Sequence, residues 1–151
     1  MTPTRTDEDG GNAIVEFVFV AVAVLVPLVY LLVSVGVVQR AQAAVGEAAR
    51  DVGRAYATSP DAPSAAARVA AASRLALAGA GLQDGEAPVF VPAGAGCDAT
   101  PIEPTFEPGA EFAVCVRRNV DLPVIPTVLQ GKGITVVGRY VVHLNEFRAA
   151  S

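Results

Sequence analysis

The chain has 151 residues, 52 % of them apolar, so once a membrane segment is set aside it holds at most one small domain with a modest core. Net charge is −4, and the acidic excess sits at the start: residues 1–16 carry Arg5 against Asp7, Glu8, Asp9 and Glu16, and the remainder has ten Lys or Arg against eleven Asp or Glu. That near balance excludes both a basic footprint for nucleic acid and an acidic tail.

From Phe17 to Val38 there are 22 consecutive uncharged residues, dominated by Val, Leu and Ala and bounded by Glu16 and by Gln39-Arg40. At 1.5 Å per residue they span roughly 33 Å, against a hydrocarbon core about 30 Å thick, which predicts a transmembrane helix. A buried helix of a soluble protein is the alternative, but such helices rarely stay apolar on every side for six turns. Pro27 falls mid-segment and predicts a kink of the kind membrane spans tolerate. A secretory signal peptide is a further alternative: Ala41-Gln42-Ala43 has the small-x-small form of a cleavage site. The run exceeds the usual apolar region of about 7–15 residues, however, and the stretch before it is acidic.

The helical pattern continues past the span. In "QRAQAAVGEAARDVGRAYA", Val45, Ala49, Val52 and Tyr56 recur at spacings of four, three and four, predicting one buried stripe, while Arg40, Glu47, Arg50, Asp51 and Arg54 take the other positions. Glu47 with Arg50, and Asp51 with Arg54, are placed to pair at i,i+3. The sum is one helix of about forty residues, its first half in lipid and its second half amphipathic. Thr58-Ser59-Pro60-Asp61-Ala62-Pro63 ends it, because two prolines and the residues before them disfavour the helical region.

"SAAARVAAASRLALAGAG" reads as a second helix over about 64–78, stopped by Gly79 and Gly81. From Gly79 to Gly109 the chain is rich in Gly and Pro, with one short strand signal, Val89-Phe90-Val91. Two stronger strands follow: Phe112, Val114 and Val116 alternate with Ala113, Cys115 and Arg117, and Ile134, Val136, Tyr140, Val142 and Leu144 share one face of the last segment. Gly138 interrupts that face and predicts a bulge. Pro123 and Pro126 confine the intervening stretch to an edge or a connection. The expected class is α+β: a long N-terminal helix, a second helix and a small antiparallel β-sheet.

Cys97 and Cys115 are the only two cysteines, and His143 is the single histidine, so a zinc site would lack ligands. A lone pair of cysteines in a small loop-rich domain reads as a disulfide in an oxidising compartment, the alternative being two unrelated buried thiols. Topology is contested within the sequence. Arg40, Arg50 and Arg54 follow the span and only Arg5 precedes it, which by charge count places the carboxyl side inside, whereas a disulfide places it outside. Catalytic patterns are missing: no nucleophile elbow, no phosphate-binding loop and no Cys/His cluster, and "GAGLQDG" at 79–85 has the wrong glycine spacing for a dinucleotide. His143 reads as a surface or structural residue, so neither an enzyme nor a cofactor or metal site is expected.

Glu16 stands at the edge of the apolar run, where a carboxylate drawn toward the bilayer centre costs of order 2–3 kcal/mol without a partner. A positive group at the same depth on a neighbouring copy would offset that cost.

The string Gly11-Asn12-Ala13-Ile14-Val15-Glu16-Phe17 resembles the type IVb prepilin processing motif: a glycine, four residues, a glutamate, then an aromatic residue, with an apolar helix directly after. The layout of the whole chain looks like that of a TadE-like minor pseudopilin of the tight-adherence (Flp) pilus system, particularly its actinobacterial versions. The resemblance implies a leader over 1–11, a transmembrane helix over 12–38, an amphipathic continuation over 39–57 and an extracytoplasmic α+β domain over 58–151. It implies cleavage after Gly11 by a membrane-embedded prepilin peptidase, Asn12 as the new amino terminus, and Glu16 as the fifth mature residue, set to neutralise the amino group of an adjacent pilin, with Phe17 at the aromatic sixth position. Implied partners are the peptidase, other pilins and pseudopilins, the inner-membrane assembly platform and membrane lipid. The leader departs from the family pattern in being acidic before the glycine, and the paired glycines also permit cleavage after Gly10. The competing expectation is an unprocessed single-span membrane protein whose outer domain binds a ligand or partner.

Overall fold

A computed structural model describes residues 10–122 and 133–146, with side chains from Ile14 onward. The leader residues before Gly10 and the Pro123 and Pro126 connection lie outside the described residues. The element order is α1 (Gly10–Ala57), α2 (Ala62–Ala78), β1 (Val89–Pro92), β2 (Glu111–Val120) and β3 (Ile134–His143). The class is therefore α+β, with a long apolar N-terminal helix, a second helix and one three-stranded antiparallel sheet in the order β1-β2-β3. Two units divide within α1, between Gly36 and Val37.

In the N-terminal unit α1 is helical through Pro27, whose missing N–H leaves the carbonyl four residues earlier without its usual donor. Every described residue from Ile14 to Val29 is exposed, including Phe17 and Phe19 at 74 % each. An apolar surface of that length has no place in water, and this helix is long and apolar enough to cross a membrane.

In the second unit α1 buries Ala41, Val45, Ala48, Ala49, Val52 and Tyr56. The expected stripe is present and is widened by Ala41 and Ala48. The i,i+3 ion pairs are not formed: Arg50 instead donates to the carbonyl of Gly46 at 3.3 Å, and the one salt bridge among the described residues lies elsewhere, between His143 and Glu111. An exposed pair gains only tenths of a kcal/mol and must hold two long side chains in one geometry, so solvation wins.

Asp61 caps α2, its carboxylate accepting from the Ser64 amide at 2.8 Å, with Pro63 in the first turn where a missing N–H costs nothing. The helix ends at Ala78, as expected, and both glycines take part: Gly79 follows with helical dihedrals, and Gly81 has φ +69°. The amides of Leu82 and Gly81 donate to the carbonyls of Leu77 and Ala78, the paired bonds of a Schellman cap. Ala65, Val69, Ser73 and Leu77, spaced by four, form the buried face.

The sheet has two covered faces. Phe112, Val114, Val116 and Val120 of β2, with Val136 and Val142 of β3, share a core with α1 and α2. Fully burying side chains of this size contributes roughly 1.5–3 kcal/mol each. At one end Tyr56 stacks on Phe106 with ring centroids 4.5 Å apart, meets Phe112 edge-on at 5.1 Å, and donates its hydroxyl to the Pro104 carbonyl at 2.7 Å. On the opposite face Val91, Ala113 and Cys115 form a smaller cluster with Cys97 and Ala99.

Gly138 forms no bulge. The β2–β3 register runs straight through it, with Val116 opposite Gly138 and Arg117 opposite Val137. The glycine is there for close approach: a Cβ would lie 2.0 Å from the Val45 carbonyl oxygen and 2.7 Å from the Gly46 nitrogen. Helix α1 thus crosses β3 backbone against backbone. Gly53, one row along, plays a similar part, since a Cβ there would meet Val142 Cγ2 at 2.7 Å and Tyr140 Cδ1 at 2.8 Å.

Candidate functional site

Gly11 and Asn12 fall in the first turn of α1, and Glu16 follows one turn later. The Glu16 side chain is exposed, flanked by exposed Ile14, Val15, Phe17 and Val18, and no salt bridge among the described residues involves it. It is the sole ionisable acid or base between Ile14 and Gln39 apart from the weakly acidic Tyr30 phenol. The geometry is that of an isolated anionic point on an apolar rod. A carboxylate on such a rod is costly to draw toward a bilayer centre without a partner. Further along the rod, Tyr30 Oη and Ser34 Oγ are shielded without a hydrogen-bond partner, four residues apart.

The β-sheet unit carries its own polar framework. Cys97 and Cys115 are joined by a disulfide with Cα atoms 5.7 Å apart, which ties the loop after β1 to the outward face of β2. Arginines reinforce the tie: Arg117 donates to the Cys97 carbonyl, and Arg139 to the carbonyls of Ala93 and Ala95. Together they satisfy loop carbonyls that have no strand partner.

Arg118 points the other way. Alternation along β2 places it on the inward face after Phe112, Val114 and Val116, and it is only 5 % exposed. Its Nε donates to the Leu82 carbonyl at 2.8 Å, and its Nη1 to the carbonyls of Glu86 at 2.7 Å and Arg117 at 2.5 Å. Burial lowers the guanidinium pKa below its ordinary value, with the Glu86 charge acting in the opposite sense. Beside it, Gly85 adopts φ +136° and lets the 82–86 loop wrap the side chain. Sequence reading passed over this residue, although the period-2 pattern that identified the strand continues to Arg118 and Val120. An arginine on a buried strand face is the signal that would have found it.

His143, the one imidazole, is exposed and contacts the Glu111 carboxylate across the β2–β3 pair at 2.8 Å. No group of three or more potential metal ligands occurs among the described residues. An apolar cleft of about 370 Å³ opens beside the aromatic cluster, lined by Tyr56, Val69, Phe90, Ile102 and Pro104. Comparison of the chain with family models, with curated proteins and with solved structures returns no match.

Proposed function

We propose that the chain is a TadE-like pseudopilin, a minor component or assembly factor of a tight-adherence, type IVb pilus, processed by a prepilin peptidase and without catalytic activity of its own. One observation carries the reading. A long N-terminal helix, apolar and exposed from Ile14 to Val29, precedes a small antiparallel sheet, which is a pilin-like architecture, and the Gly11-to-Phe17 string stands at the helix start. The disulfide supports placement of the second unit in an oxidising compartment outside the cytoplasmic membrane, against the arginine count after the span.

On this reading cleavage after Gly11 frees the Asn12 amine, and Glu16 lies four residues further along, about 6 Å of helix rise. The carboxylate of one subunit then meets the amine of the next at the same membrane depth. An ion pair in that setting is worth most as a register device, because each partner left alone is costly there. The partners that follow are the peptidase, other pilins and pseudopilins, the assembly platform and lipid.

The amino-terminal mass of protein from membranes with and without the peptidase tests the reading. A terminus at Asn12 that depends on the peptidase supports it, and Glu16→Ala should then block assembly while leaving cleavage intact. An intact leader in both strains would refute processing and leave Glu16 as a boundary charge on a single-span anchor.

A further inference from the structure

Helix α1 and strand β3 run side by side in the same direction, since Gly138 lies against the Val45 carbonyl and Gly53 against Val142 and Tyr140. From Gly138 back to Ile134 is about 13 Å of strand, which matches about nine residues of helix and brings Ile134 level with Val37. The core agrees: Val37 and Val38 pack against the cluster that holds Val120 and Val136. Val37 and Val38 are the first residues of the second unit and also the last of the apolar run, so the level at which α1 leaves a bilayer is built into this unit. At that level Ile134 stands opposite Val120, with partly buried Leu122 just beyond. The other end of the same strand pair, about 30 Å away, is charged, with Glu111 opposite His143. Two residues on one face of β3 show the difference in setting: Ile134 is 41 % exposed and Tyr140 is 40 % exposed. Yet Ile134 lies at the boundary level and Tyr140 about 20 Å beyond it.

We propose that this end of the β2–β3 pair is a second membrane contact, in which Ile134 and Leu122 rest in the headgroup layer of the bilayer that α1 spans. Continuity identifies the occupant. The patch is level with the end of the apolar run, so lipid around the last turn of the span is the surface nearest to Ile134. An exposed apolar side chain gains free energy in that layer, as the apolar faces of interfacial helices do. Asp121, exposed at the same end, limits the depth, because drawing its carboxylate past the headgroups is costly. With α1 crossing the membrane and the strand end resting on it, the sheet is held at a fixed tilt. The proposal rests on α1 being a membrane span, which the pilus reading and its single-span alternative share, and not on a role in a pilus.

The full-length isotope-labelled chain in phosphatidylcholine nanodiscs tests it, with and without lipid that carries a nitroxide near the top of its acyl chain. The amides of Ile134 and Thr135 should broaden several-fold more than those of Tyr140 and Val141, and the Ile134 methyl groups should give cross-peaks to lipid protons. The amides of Val33 and Val35 report the span separately. Broadened span amides with Ile134 and Thr135 affected no more than Tyr140, or Ile134 methyl cross-peaks to water alone, would overturn the contact and leave the span intact. Span amides that the nitroxide leaves sharp would overturn the span and the contact together.

Discussion

Gly138→Ala should strongly destabilise the β-sheet unit although it adds a single methyl group. The new Cβ would lie 2.0 Å from the Val45 carbonyl oxygen and 2.3 Å from its carbon. Ordinary contact requires about 3.4 Å, so α1 and β3 must part by roughly 1.4 Å at their crossing. Both obstacles are main chain, so no rotamer change relieves them. A gap of about 1 Å forfeits up to half the dispersion well for atoms along the contact, including the surroundings of Val45, Ala49 and Val116. The overpacking range of about 1–3 kcal/mol is expected at its upper end, and the 0.5–1 kcal/mol gained by removing a strand glycine does not offset it. For a unit of this size a loss of about 3 kcal/mol lowers Tm by roughly 12 °C. Near-UV circular dichroism in micelles reads the change through the tyrosines, since the chain has no Trp and the far-UV signal is dominated by α1. Gly46→Ala is the internal control: nothing lies within 4 Å of its Cβ position, and a helix-interior alanine should be neutral or stabilise by up to about 1 kcal/mol. Equal melting of Gly138→Ala and the parent protein, or an equal loss in Gly46→Ala, would refute the close-packing argument.

Arg118→Met should cost about 3 kcal/mol in denaturant unfolding, because the carbonyls of Leu82, Glu86 and Arg117 lose a charged donor together, and a change under 1 kcal/mol would show that water replaces it freely. Reducing the Cys97–Cys115 bridge, which spans a sequence separation of 18, should lower stability by about 3 kcal/mol and shift the melt only in the presence of reductant; coincident melts would count against the loop-closure argument. The Asp61 pKa lies below its ordinary value of 3.8, chiefly through the backbone hydrogen bond from Ser64, so its contribution to α2 is present above that value and lost as pH falls through the lower folded pKa. Amide exchange in the first turn of α2 should therefore rise in acid for the parent and not for Asp61→Asn, which still accepts the bond when no charge is present.

Local pattern accounts for much of what was legible in advance. The apolar run, the Val45-to-Tyr56 stripe, the breaks at Ala57 and Ala78 and the three strands depend on periods and capping residues that act within a few positions of themselves, and each is found near its expected place. The candidate site at Gly11, Asn12, Glu16 and Phe17 is likewise a local reading, a string of near-adjacent residues whose proposed roles need no contact within the chain.

The long-range features were set by packing alone. A glycine in β3 reads equally as a bulge or as a crossing point until α1 is laid against it, and then the Val45 carbonyl decides. Of the two glycines that end α2, packing and dihedrals alone show the division of roles: Gly79 keeps helical dihedrals and Gly81 takes the left-handed ones that close the Schellman bonds. The i,i+3 pairs on α1 dissolved into solvent, while Arg117, Arg118 and Arg139 found carbonyls up to 46 residues away in loops that no local rule connects to them. Sequence by itself determined which segments are helix and strand and which faces are apolar, since those follow from periodicity. Tertiary structure determined which polar groups are buried and what they touch, since desolvation and partner choice exist only once distant segments are brought together.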